Sequence, residues 1–168
     1  MRLSTLRRGL ARTLEWIVIV LMLTLAIEVT AGVIFRYVGH ALVWYDEVAT
    51  ILLAWVTFYG AALAVFKHAH MSVPEIVRMM RPEWQVILTV VAQGFTLAFY
   101  VLLAWTGYKV LEVLATDRLV SLPSVSVAYV NSVIPISAVL IIIGQILVFP
   151  EVLHRARTGR IEKAEENV

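Results

Sequence analysis

Residues 14–35 read LEWIVIVLMLTLAIEVTAGVIF. Apart from Glu15 and Glu28 the run carries no charge. At a helical rise of 1.5 Å per residue it is long enough to cross a hydrocarbon core of about 30 Å. Lipid offers backbone groups no water, so an isolated apolar run can cross only as a helix. Three further runs of this kind follow, at about 43–66, 84–111 and 126–149. They are continuous and do not alternate as barrel strands do. The pattern predicts an all-α membrane protein with four transmembrane helices in one domain, residues 1–168. A charged tail occupies about 151–168.

Arg2, Arg7, Arg8 and Arg12 before the first run could open a secretory signal. The run is longer than an h-region of about 7–15 residues, and no clear small-x-small site follows it. It reads as a span that also serves as the insertion signal. The whole chain agrees with a lipid solvent, being 61% hydrophobic and 15% charged. Soluble domains lie near 45–50% apolar and about 25% charged. The absence of cysteine excludes disulfides, thiolate metal sites and cysteine nucleophiles. A net charge of +2 gives no reason to expect nucleic acid.

The placement of the positive charges matters more than their sum. Arg2, Arg7, Arg8 and Arg12, then Lys67, Arg78 and Arg81, then Arg155, Arg157, Arg160 and Lys163 fall on one side of four crossings. Only Arg36, Lys109 and Arg118 fall on the other. Lysine and arginine favour the cytoplasmic side, so both termini are expected there. The first and third connections then face outward, into the periplasm of a bacterium. The basic rim suits anionic headgroups of membrane lipids. Trp16, Trp44, Trp84 and Trp105 sit near span ends, where amphipathic rings prefer to lie, whereas Trp55 is mid-span.

The second connection has its own pattern. Ser72 and Glu75 form a capping box, and Pro74 suits a first helical turn. Ile76, Val77, Met79 and Met80 supply an apolar face beside Arg78 and Arg81. This predicts a short amphipathic interfacial helix between helices 2 and 3, ended by Pro82. The third connection holds Asp117, Arg118, Pro123 and several serines, and reads as an ordered loop.

Few residues are placed for chemistry. The histidines, His40, His68, His70 and His154, lie at span ends or in connections, so no haem is held between spans. No nucleophile–base pair, phosphate loop or metal cluster can be assembled, and no cofactor is expected. Glu28 lies roughly 10 Å inside the outer end of the first span. A carboxylate at that depth faces protein or a water cavity. It is read as a buried structural charge partnered by Thr24, Arg36 or a neighbouring subunit, with a proton or cation relay as the functional alternative. Glu15 is expected to pair with Arg12 at the inner interface. In the second span Trp44, Glu47, Ile51, Trp55, Phe58 and Ala62 fall within an arc of about 80°. This stripe, flanked by the small Ala54 and Ala61, reads as a helix–helix or subunit interface. Gln93, Gly94, Gly144 and Gln145 could bond or pack across helices, and Asn131, Ser132, Pro135 and Ser137 predict a kink in the fourth span.

The order of these features resembles a known family. Phe35-Arg36-Tyr37 is followed by Trp44 with Glu47, then Trp55, Phe58, Gly60 and Ala61, then His70 with Val73. Leu122-Pro123, Tyr129 and Ile134-Pro135-Ile136 lead into the fourth span. From about Trp16 to Glu151 the chain resembles the small, DctQ-like membrane subunit of tripartite ATP-independent periplasmic (TRAP) transporters. The resemblance implies a non-catalytic subunit that scaffolds a much larger membrane subunit. That partner holds the substrate and sodium sites and moves as an elevator. A periplasmic substrate-binding protein delivers an organic acid, such as a dicarboxylate or sialic acid, to the outer face. On this reading the Trp44–Ala62 stripe meets the large subunit. Arg36, Asp117 and Arg118 tune docking of the binding protein by charge. The main rival is a small four-helix proton-coupled antiporter using Glu28. Such proteins are shorter and lack the capped surface helix and charged tail. A lipid-modifying enzyme would need a convergent polar site that the sequence does not supply.

Overall fold

The computed structural model describes residues 2–40, 42–67 and 82–158. Its helices are α1 (Arg2–Tyr37), α2 (Tyr45–Phe66), α3 (Pro82–Leu114), α4 (Val127–Asn131) and α5 (Val133–Thr158). Four stretches are long and apolar enough to cross a membrane: Leu6–Tyr37, Tyr45–Phe66, Val86–Leu114 and Val127–Phe149. These match the four expected crossings. The expected interfacial helix, with Ser72, Glu75, Arg78 and Arg81, lies outside the described residues.

The helix ends follow from local chemistry. At 36 residues α1 is about 54 Å long, so it outreaches the hydrocarbon core and carries its basic first turns beyond it. It stops at Gly39, whose φ of 84° side chains rarely tolerate. There the His40 N–H donates to Phe35 O at 3.0 Å and the Gly39 N–H to Arg36 O at 3.2 Å. These two bonds make a Schellman cap, which satisfies carbonyls the helix leaves open. Ser126 caps α4, its Oγ accepting the Ala128 N–H at 3.3 Å. The fourth crossing breaks at Ser132 between α4 and α5, as the kink predicts. Pro135 has no N–H to donate to the carbonyl four residues back. Toward the C-terminus α5 continues to Thr158, into the charged tail.

The helices form a row in the order α1, α2, α5, α3. Each neighbouring pair is packed, α1 meets α5 only marginally, and α1 and α3 stand at the two edges. The row is held by small residues where backbones converge. A Cβ on Gly144 would lie 3.0 Å from Val65 Cγ1 and 3.2 Å from Phe66 Cε2, which brings α5 against α2. Gly32 receives the ring of Tyr45, which brings α1 against α2. α2 and α5 run in the same direction, and α1 and α3 run opposite to them. The buried cluster is Leu14, Ala62, Val65, Phe66 and Ile141, at the junction of α1, α2 and α5. Ser137 and Ala138 are fully buried on α5, the most enclosed of the four crossings. Along α3, by contrast, no residue of the apolar window is buried.

Candidate functional site

The end of the row formed by the first and third connections carries the most specific polar construction among the described residues. Residues 115–126 fold back on themselves. The Leu119 N–H donates to Val125 O at 3.1 Å, Val127 N–H to Asp117 O at 3.1 Å, and Val125 N–H to Leu122 O at 2.9 Å. The last bond closes a turn with Pro123 at its second position, where its fixed φ fits. Arg118 and Ser126 face each other in an isolated antiparallel bridge. Leu119 is buried beneath the loop.

Two amide donors of this loop point away from it, to the first turn of α2. Glu47 Oε1 accepts the Val120 N–H at 3.2 Å, and Oε2 accepts the Ser121 N–H at 2.8 Å. The Ser121 hydroxyl donates to Val43 O at 3.4 Å. Glu47 therefore ties the third connection to the end of the first. A carboxylate accepting successive backbone amides makes a charge-assisted clamp, and its place in the first helical turn suits the helix dipole. Asp117 and Arg118 stand exposed on the clamped loop, and Arg36 stands exposed at the end of α1. All three lie at the same end of the row.

The aromatic stripe of α2 is largely used within the chain. Trp55 Nε1 donates to Val130 O at 2.9 Å, and its ring meets Tyr59 and Tyr129 at centroid distances of 6.5 and 6.1 Å. That bond explains a mid-membrane tryptophan, because the break at Ser132 leaves carbonyls of α4 short of helical donors. Ala62 is fully buried in the three-helix cluster. Glu47, Trp55 and Ala62 thus serve helix and loop packing, because the third connection and α5 fold onto this face. Trp44 remains 40% exposed, and Ile51 and Phe58 are half-buried. Trp55→Phe keeps the ring contacts and removes the N–H. It should lower stability by about 1 kcal/mol, read as an earlier thermal transition in detergent.

Glu28 lies on the face of α1 that meets α2. The better-covered positions Leu14, Val18, Leu21, Leu25, Glu28 and Gly32 recur at spacings of four and three. Neither partner expected inside the chain is used. Thr24 donates its hydroxyl to Val20 O at 2.8 Å, and Arg36 is exposed two turns further on. Glu28 has no ion pair or side-chain hydrogen bond among the described residues. A charged side chain at such depth costs about 2.5 kcal/mol or more unless it is compensated.

The opposite end of the row holds a different pair from the one expected. Glu15 meets Lys67 across α1 and α2 at 2.9 Å, in place of Arg12, because α2 ends beside the fourth turn of α1. Both side chains are about half exposed, so the pair contributes little, about 0–1 kcal/mol. Among the described residues Gly94 has open space around it rather than a helix, and the buried Gln145 Oε1 has no donor. No group of three metal-ligating side chains occurs among the described residues.

A family model for the DctQ component of tripartite ATP-independent periplasmic transporters matches residues 25–155. The chain belongs to the DctQ family. A search of curated proteins finds no match. The DctQ match covers the last third of α1, the whole of α2, α3 and α4, the clamped loop and most of α5. This DctQ protein is therefore a component of a transport system, with four helices able to span a membrane. Reading the sequence alone placed Glu47 on the stripe but missed what it holds. Its partners are backbone amides of Val120 and Ser121, which no side-chain pattern reveals. The signal available was a carboxylate opening α2 together with an ordered loop that still needed an anchor.

Proposed function

We propose that this DctQ protein is the non-catalytic small permease subunit of a sodium-coupled, binding-protein-dependent TRAP transporter that imports organic acids. Its place is the bacterial inner membrane, with both termini cytoplasmic. The observation that carries the reading is the row of helices. A layer one helix thick has no interior in which to wall off a solute. Its edge helices α1 and α3 leave Ile27, Phe95, Leu102 and Trp105 at 63% exposure or more. Such a layer adds width to a larger body, here the large elevator-type subunit. Substrate class and sodium coupling rest on the family.

The outer end suits the second partner, the periplasmic binding protein. Arg36, Asp117 and Arg118 present charges of both signs on a backbone fixed by Glu47, and fixed charges steer encounter and register. The large subunit meets the row along α1 and the open part of the α2 stripe, including Trp44, Ile51 and Phe58. Exchanging the loop charges with Asp117→Arg and Arg118→Asp should lower uptake several-fold at limiting binding protein, and less at saturating binding protein. Unchanged uptake at limiting binding protein would remove docking from this loop.

A further inference from the structure

We propose that Glu28 forms an intramembrane ion pair with a lysine or arginine of the large membrane subunit. The inference rests on the reading of this chain as the small subunit, and it names the chemistry of the contact. Four observations lead to it. Glu28 lies about 10 Å inside the outer end of a membrane-crossing helix, where a carboxylate needs compensation. Its neighbours on α1 cannot supply it, since the Thr24 hydroxyl is spent on Val20 O and Arg36 projects exposed two turns away. The other two basic residues of the outer half are equally unsuited. Lys109 pairs with Glu112 at 3.0 Å on α3, and Arg118 stands on the loop. α1 and α3 share no substantial contact, so Lys109 is across the row.

The fourth observation is access. α1 is an edge helix, and one flank beside Glu28 is open: Ile27 is 70% exposed and Thr24 is exposed. On the other flank lie Leu25 and Gly32, the latter filled by the Tyr45 ring. The α1–α2 seam thus presents a half-buried carboxylate at its margin, which a helix laid along α1 can reach. Charge complementarity decides the occupant. Lipid tails offer nothing to an anion, whereas a guanidinium or ammonium on a neighbouring helix satisfies it and is satisfied in turn.

The pair makes a prediction of opposite signs for the free and assembled protein. Glu28→Leu should leave the melting of the isolated subunit unchanged or raise it, since an unpaired charge leaves the hydrocarbon. In the complex with the large subunit, Glu28→Leu and Glu28→Gln should both weaken association by about 10- to 100-fold, because each strands the partner's buried cation. Glutamine mimics a protonated carboxyl, so a complex that tolerates Glu28→Gln contradicts the ion pair. A photo-cross-linking residue at Ile27 gives an independent reading in the otherwise unaltered chain. The large-subunit peptide it captures should contain a lysine or arginine at membrane depth, and a captured peptide without one overturns the proposal. Transport lost with association intact would also overturn it, in favour of a proton relay at Glu28. If the unsubstituted chain does not associate with a large subunit, the small-subunit reading itself fails, which is a separate outcome.

Discussion

Glu47→Ala should release the 115–126 loop and leave the four long helices in place. The carboxylate is the only side chain among the described residues that receives the Val120 and Ser121 amides. Without it both N–H groups lose their acceptor, and the loop keeps only its internal bonds and the Ser121 hydroxyl contact to Val43 O. Amide exchange at Val120 and Ser121 should accelerate on the order of tenfold or more. Exchange at Leu119, Val125 and Val127 should rise less, because their acceptors lie within the loop or at its base. Glu47→Gln should fall between the two, since a neutral amide offers one acceptor oxygen where the carboxylate offers two. On the proposed docking role, uptake at limiting binding protein should drop several-fold, with the amount of assembled transporter unchanged. Unaltered exchange at Val120 and Ser121 would mean that the clamp does not hold the loop.

Gly144→Leu should disrupt the contact between α2 and α5. A Cβ alone would already stand 3.0 Å from Val65 Cγ1 and 3.2 Å from the Phe66 ring. Phe66 is 2% exposed and part of the buried cluster, so it has nowhere to turn. Leucine adds three more carbons, and the helices must separate or tilt. Overpacking of this kind costs about 1–3 kcal/mol. For a chain of this size the melting temperature should fall by roughly 2–12 °C. Gly94→Leu is the matched control, because nothing lies within 4 Å of its added Cβ. Equal effects of the two substitutions would contradict the packing of α5 on α2.

These two residues also mark the boundary of what the sequence discloses. Lipid imposes so strong a constraint that residues 14–35 and their three counterparts reveal the crossings directly. Hydrophobic length and backbone satisfaction leave no competing fold. The kink at Ser132 was legible too, because Pro135 removes a donor whatever surrounds it. What stays hidden is which helix touches which. In water an apolar stripe marks the buried face, but in lipid the exposed face is equally apolar. The Trp44–Ala62 stripe therefore pointed to an interface without saying that α5 and the 115–126 loop would occupy it. Glu15 illustrates the same gap. Arg12 was its neighbour along the helix, but the packing of α2 brought Lys67 closer. Glu28 is the opposite case. Its depth was legible and its partner was not, and the row of helices removes the candidates inside the chain.

On the proposed reading this DctQ protein is a scaffold for a larger permease and carries no solute alone. Reconstitution into proteoliposomes tests it most directly. Uptake of a labelled organic acid, driven by an inward sodium gradient, would be measured for the chain alone, for the large subunit alone, and for both with the binding protein. The chain alone should give no uptake, and full uptake should need all three. Solute movement by the chain alone, sensitive to a proton gradient and abolished by Glu28→Gln, would contradict it and establish an antiporter.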